Sequence, residues 1–185
     1  MIQANSRPPV ETTARVMPVH TVRPGPGIVV VVQSESWVWL PTHWTGRATV
    51  ACSRSSGCEY CGNQTPLWKG FFVARQHKTE KRALMRITPN AIAHLQDALD
   101  ARPHKTGLIM HFSRIGKRGN SPMTSTIVTE LPDEPKVSWR QTADYVGRVF
   151  RQPAGFFLLG ADPDLGEGRL KVHYVGPDHS IDQTD

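Results

Sequence analysis

The stretch WKGFFVARQHKTEKRALMRITP, residues 68–89, decides how the rest of the chain is read. Its first part, 68–75, is rich in large apolar residues (Phe71, Phe72, Val73). Its last part, 81–87, alternates, with Ala83, Met85 and Ile87 on one side and Arg82, Leu84 and Arg86 on the other. A period of two marks a strand, because successive side chains leave a pleated backbone on opposite faces. The polar residues 76–80 form the turn between them, so the two strands make a hairpin. Thr88-Pro89 then opens a helix, with Thr suited to the N-cap and Pro to the first helical position. Ile92, Leu95, Ala98 and Leu99 form one apolar stripe on that helix, and Pro103 stops it.

Working outward, residues 28–33 read as a buried strand that 36–40 continue after a bend, with Pro41 ending it. Residues 41–66 have no helical or strand period. Beyond the helix, 107–115 and 123–131 are two long strands joined by the turn 116–122. Ser138 and Gln141 fit a capping box, and Trp139, Ala143, Val146 and Phe150 give a helix over 138–151 its apolar face. Residues 155–159 are expected to pack back on the body, 169–175 alternate as an edge strand, and 177–185 are loose. Residues 1–26 hold five prolines and few large apolar side chains, which suits a flexible tail. The organisation expected is a tail over 1–26, a domain over 27–136 with an insertion at 41–66, and a C-terminal helix with an acidic end over 137–185. The fold class is mainly β with α. The order strand, insertion, strand, strand, helix, strand, strand is that of a five-stranded oligonucleotide-binding (OB) barrel, here with an inserted loop over 41–66 and a C-terminal helix. Another small α+β fold is the alternative.

A chain of 185 residues is one ordinary domain, and 38% hydrophobic with 21% charged residues is a globular composition. The longest aliphatic run, Ile28 to Val32, cannot cross a bilayer, and no secretory leader is recognisable at the start. A membrane partner, a collagen, a coiled coil and a wholly disordered chain are disfavoured, and a cytoplasmic, nucleoid-associated or mobile-element protein is expected. Lys and Arg number 22 against 16 Asp and Glu, a net charge of +6. Six of the acids (Asp162, Asp164, Glu167, Asp178, Asp182, Asp185) lie at the end of the chain, beside only Arg169 and Lys171. The body is therefore the more basic part, which suits a polyanionic partner. A solvated basic surface is the plainer reading.

The three cysteines, Cys52, Cys58 and Cys61, fall within ten residues. An odd, clustered set is a poor disulfide framework and a good metal framework. With His43 they give His-x8-Cys-x5-Cys-x2-Cys, a donor set of the kind that closes around structural zinc. Cys58 and Cys61 span a tight knuckle, with Gly57 before it and Gly62 after it to help the chain turn. Glu59 lies inside the knuckle, but no zinc-hydrolase or zinc-deaminase signature surrounds it. His43 is the nearest fourth donor, and His77 or another His is an alternative. An iron–sulfur cluster or a redox Cys-x-x-Cys is a further one, though the βαβ context of the latter is missing.

Single-stranded nucleic acid is held by cations along its phosphates and by rings that stack on its bases. Trp37, Trp39 and Trp44 flank the first strand and the insertion. Trp68, Phe71 and Phe72 lie on the second strand with Lys69 and Arg75. Lys81, Arg82 and Arg86 follow on the next turn and strand, and Phe112 and Arg114 precede the Lys117-Arg118 turn. Taken singly, a Trp or Phe on a strand is more often core than platform, and a Lys-Arg turn is a solvated hairpin tip. Their interleaving on adjacent elements favours a binding face.

The ligand order His43, Cys52, Cys58, Cys61, set inside this strand order, resembles the T-even phage type of single-stranded DNA-binding protein. The hairpin 108–131, with Arg114-Ile115-Gly116-Lys117, is also similar to the hairpins of OB-fold single-strand binders. The likeness covers residues 27–131. It implies an OB fold, a zinc subdomain held by those four residues, and an acidic end that docks replication or recombination proteins. The spacing between the ligands and the chain itself are shorter than in that family, and no basic N-terminal cooperativity motif is present.

No Walker A loop, Gly-x-Ser-x-Gly elbow, His-Glu-x-x-His motif or dinucleotide fingerprint occurs. The function expected is non-enzymatic: a protein with a structural zinc that binds single-stranded DNA, or RNA, in replication, recombination or repair. A zinc-ribbon adaptor for a polymerase or transposase, docking through Trp37, Trp39 and Trp68, is the alternative. A small nuclease is a third reading.

Overall fold

The computed structural model describes residues 16–52 and 58–151, and the backbone of four two-residue strands beyond them. Residues 1–15 of the expected tail lie outside the described residues, as do the side chains of the acidic end. The fold is mainly β with a few helices. The strands are β1 (Val19–Thr21), β2 (Ile28–Val32), β3 (Val38–Trp44), β4 (Thr49–Ala51), β5 (Leu67–Gln76), β6 (Arg82–Ile87), β7 (Leu108–Arg114) and β8 (Met123–Glu130). The helices are α1 (Gln96–Asp100) and α2 (Trp139–Phe150).

β5 organises the sheet. Its first half pairs antiparallel with β3 and its second half with β2, while β6 pairs along its other edge. β2 and β3 are thus one long strand broken at residues 33–37. Both Gln33 and Ser34 donate backbone N–H groups to Val73 O at the break, and the Ser34 hydroxyl accepts from Val73 N at 2.7 Å. β2 also pairs with β7, and β7 with β8. The ladder does not close into a barrel. The outer edge of β6 is taken by β1, in parallel, and β8 ends the other side. Between them sit two 3-10 turns, Pro89–Ala91 and Ala93–Leu95. Ser125 on β8 donates its hydroxyl to Ala91 O, and its carbonyl meets His94 Nε2 at 2.7 Å.

Both faces of the sheet are covered, which is why β2 and β5 read as continuous apolar runs. One face packs Val30, Val32, Trp37, Trp39, Phe72, Met85, Met110 and Phe112 into the main core, closed by Ile92 and Leu99. The other packs Val38, Leu40, Phe71, Val73 and Leu84 against Ala143 and Val146 of α2. α2 starts at the expected capping box: Ser138 Oγ accepts from Gln141 N, and Gln141 Oε1 accepts from Ser138 N.

Several expectations are corrected. Order does not begin at residue 27: β1 lies inside the expected tail and Val22 is buried in the core. The helix expected from Thr88 is two 3-10 turns and the short α1, because Thr88 makes no cap bond and the carbonyl of Ala91 is claimed by Ser125. Pro41 does not end the strand. It sits inside β3 opposite Trp68, just beyond the last residue paired with β4, and its carbonyl accepts from Cys52 N at 2.8 Å. A proline at that position breaks no ladder bond. The insertion likewise contains regular structure, since β3 and β4 form a hairpin around Gly46, whose φ of +86° suits the turn.

Of the last expected strand, 169–175, two pieces are strand. Arg169–Leu170 pairs with Pro163–Asp164 in a separate ladder. His173–Tyr174 pairs with Leu158–Leu159, which pairs in turn with Val38 and Trp39 of β3. Among the described residues no helix is long and apolar enough to cross a membrane.

Candidate functional site

The β3–β4 hairpin carries two sites. Adjacent strand residues face opposite ways, so His43 and Trp44 part company at the end of β3. His43, Cys52, Cys58 and Cys61 come together, their donor atoms all within 4.8 Å of one another. His43 Nε2 lies 3.6 Å from Cys58 Sγ and 3.5 Å from Cys61 Sγ. Cys52 Sγ lies 3.8 Å from Cys58 Sγ and 3.3 Å from Cys61 Sγ. Metal–sulfur bonds of about 2.3 Å and a metal–nitrogen bond of about 2.0–2.1 Å make tetrahedron edges of roughly 3.5–3.8 Å, so the four donors fit a tetrahedral ion.

Local chemistry explains the cluster. Cys52 follows β4 and is fixed by its bond to Pro41 O. The knuckle closes through Cys61 N donating to Cys58 O at 3.2 Å. The His43 ring packs against Tyr60, centroids 5.7 Å apart, and its buried Nδ1 has no hydrogen-bond partner among the described residues. The ring is therefore oriented by packing and by the sulfurs. Crowding splits the thiols. Backbone N–H donation, first from Tyr60, lowers Cys58 to about 6, whereas hydrogen bonds with Cys52 and Cys58 push Cys61 up to about 12. This group can hold a metal ion, with four protein donors and no position left open. His77 is excluded from it: it lies in the turn after β5, its N–H bonded to Val29 O.

Beside the cluster, with His43 in the lining of both, lies a groove of about 820 Å³, lined also by Trp44, Thr49, Leu67, Lys69, Arg86, Asn90, Arg114 and the turn 119–123 among others. Among the described residues no Asp or Glu lines it. Lys69, Arg86 and Arg114 come from three different strands. Arg114 donates Nε to Val22 O and Nη1 to Ser121 O, and Arg86 donates Nη1 to Thr49 Oγ1 at 3.2 Å. Burial pushes the Lys69 ammonium below its usual value, and the charges of Arg86 and Arg114 push it further. Burial and then Arg114 lower Arg86, and burial lowers Arg114. Trp44 (55% exposed) and Leu67 (58% exposed) are the bare apolar surfaces beside these cations.

The expected binding residues divide sharply. Trp44, Arg86 and Arg114 line the groove. Trp37 and Trp39 are each 1% exposed, and Phe72 and Phe112 are sealed. These four cannot stack on a base, because the side of the sheet they occupy is the main core; Trp37 packs on Phe72 with ring centroids 4.5 Å apart. Trp68 is half-buried against the same core. With Trp37 and Trp39 withdrawn, the aromatic patch expected of an adaptor is absent. Arg75 is bound by Glu134 at 2.8 and 2.9 Å and by Glu80 at 2.6 Å, and Arg82 donates to Gln33 at 2.7 Å. They lie at the far end of the hairpin from Arg86, engaged in holding the 131–137 segment. Lys81, Lys117 and Arg118 are exposed on turns, outside the groove lining. Lys69, read from the sequence as a cation of the second strand, lies in the groove, and Leu67, Thr49 and the turn 119–123 are lining residues the sequence does not single out. Strand alternation relative to Phe71, combined with the β5–β6 register, places Lys69 on the face of Arg86, and that was the available signal.

No family model, curated protein or solved structure matches the chain.

Proposed function

We propose that the protein binds single-stranded DNA in the groove between the β3–β4 hairpin and the 115–122 turn, with a structural zinc holding that hairpin in place. The observation that carries this reading is a lining, free of acids among the described residues, in which Lys69, Arg86 and Arg114 share one groove with the bare ring of Trp44. Cations take the phosphates and the indole takes a base, the two contacts by which unpaired strands are held. Preference for single strands follows from the ring, since a base must leave its duplex stack to lie on Trp44.

Topology supports the same reading. β2–β3, β5, β6, the helical segment, β7 and β8 follow the OB order, with the antiparallel partners of that fold and with β1 on the edge where the barrel would close. In OB folds the cleft lies over strands two and three, between the loop joining strands one and two and the loop joining strands four and five. The groove has that position: β5 and β6 form its floor and the 119–123 turn one wall. A Cys₃His set favours zinc, and four protein ligands suit a structural site rather than a catalytic one. Zinc bound this way contributes about 10–16 kcal/mol of folding free energy in finger peptides, ample to order a loop with little core of its own. The protein would serve replication, recombination or repair, where unpaired strands arise.

The test is a tryptophan-fluorescence titration of the zinc-loaded protein with single-stranded and duplex oligonucleotides at two salt concentrations, beside metal analysis. Quenching by single strands that weakens with salt and is lost in Trp44→Leu is the expected result. No response to single strands, or zinc well below one per chain, overturns the proposal.

A further inference from the structure

The groove is compact. Among the described residues it offers one exposed ring and three cations, while Trp37, Trp39, Phe72 and Phe112 are sealed in the core, Trp68 is half-buried against it, and Arg75 and Arg82 are occupied by Glu134 and Gln33. A site that tracks a strand needs successive rings and a continuous cationic trough. This site instead gathers its charge at one place.

We infer that Lys69, Arg86 and Arg114 form a single phosphate-recognition point that prefers the terminal phosphate monoester of a single strand to an internal phosphodiester. The inference rests on the single-strand reading above and specifies which part of the strand the groove takes. Charge matching is the argument. An internal diester brings one negative charge, which leaves most of the charge unbalanced in a partly desolvated site with three cations and, among the described residues, no acid. A terminal monoester brings about −1.5 to −2 at pH 7, with its second ionisation near 6, and three acceptor oxygens. The donors are already arranged for it. Arg114 is pinned by two carbonyls and Arg86 by Thr49, so little ordering is lost on binding. Lys69 is half-buried with no hydrogen-bond or ion-pair partner among the described residues. Its ammonium and the free guanidinium N–H groups are the donor types that hold phosphate as a point charge and as a fork. Trp44 and Leu67, beside these cations, would receive the base next to the end.

The experiment uses the zinc-loaded full chain and three labelled eight-nucleotide single strands of one sequence: 5′-phosphorylated, 3′-phosphorylated, and hydroxyl at both ends. Kd is read by anisotropy at pH 7.5 and 5.5 at constant ionic strength. A phosphorylated end should bind about tenfold tighter than the hydroxyl strand at pH 7.5. The gap should shrink towards unity at pH 5.5, where the monoester carries nearly the same charge as a diester. Lys69→Ala should abolish the gap, with Lys69→Met as the substitute if that variant does not fold, and Lys81→Ala, on the remote turn, should keep it. Equal affinity for all three strands at pH 7.5 overturns the inference and leaves single-strand binding standing. No binding of any strand overturns the functional reading itself. Inorganic phosphate that competes at the same concentration as the phosphorylated strand also overturns the inference, because the ligand is then the free anion.

Discussion

Gly70 gives the most direct test of the packing that removes the tryptophans from the surface. It faces Trp39 in the β3–β5 register. A Cβ built there would lie 2.8 and 2.9 Å from Cζ3 and Cη2 of the Trp39 ring and 2.9 Å from Cγ1 of Ile87. Trp39 and Ile87 are both buried, so neither can swing into solvent. Gly70→Ala therefore overpacks a closed core, at about 1–3 kcal/mol. Removing a glycine from a strand interior returns roughly 0.5–1 kcal/mol. The net loss is about 1–2 kcal/mol, or a fall in Tm of about 2–8 °C for a chain of this length. Calorimetry and urea unfolding measure it directly. Trp39→Leu removes both offending ring atoms. Gly70→Ala made in that background should cost less than in the wild type, since only the 2.9 Å contact with Ile87 is left, a coupling of roughly 0.5–3 kcal/mol as seen for residues in contact. A neutral Gly70→Ala in the wild type, or an equal penalty in both backgrounds, refutes the placement of the indole over Gly70 and returns Trp39 to the list of possible stacking rings.

Three further outcomes are expected. Oligonucleotide affinity should fall with salt at a shallow slope, no steeper than about −2 in log K against log[salt], since three cations are available at about −0.7 per phosphate; a slope beyond −4 would reveal a longer track. Chelation under reducing conditions should raise hydrogen exchange in residues 43–61 while β5 and β7 keep their protection, because His43 and the three cysteines lie outside both apolar clusters; exchange that rises everywhere together contradicts this. Hydrogen bonding from Arg75 and Gln33 holds the Glu134 carboxyl below its ordinary value. The stability this gives is fully present above the unfolded value of about 4.3 and is lost as pH falls through the folded one. Glu134→Gln should lower Tm at pH 7 and flatten the acid limb of stability against pH, and an unchanged acid limb sinks the assignment.

The parts of the molecule that were legible in sequence are those with local causes. The alternation of 82–87 sets a strand whatever surrounds it, the Ser138–Gln141 box starts α2, and Cys58-x2-Cys61 makes a knuckle by its own turn. What could not be read depends on distant partners. β1 is three residues between prolines, and only the free edge of β6 makes it a strand. The segment after Thr88 carries a good helical stripe but is held in 3-10 turns by Ser125, which lies over thirty residues away. The aromatics were misjudged for a related reason. A Trp on a strand is platform or core according to whether its side of the sheet is covered, and coverage is a property of the other elements.

That coverage also explains where the groove lies. Lys69, Phe71 and Val73 alternate with the core residues of β5, and Leu84 and Arg86 do the same on β6. One outer face of the sheet thus runs from apolar to cationic along a few residues. α2 covers the apolar part and ends there: its last residue, Phe150, meets Phe71 edge-on at 5.4 Å. Beyond that contact the same face carries Lys69 and Arg86 towards Trp44, Thr49 and Leu67. Under α2 this face is apolar, and its cations lie at the two ends: Arg75 and Arg82, engaged by Glu134 and Gln33, at one, and Lys69 and Arg86, past the end of the helix, at the other. A substitution that extended the apolar stripe, such as Lys69→Leu, would leave it bare to solvent, while one that charged the covered part, such as Val73→Lys, would bury a cation beneath α2. Compactness of the charged site is therefore a consequence of how the second layer is placed.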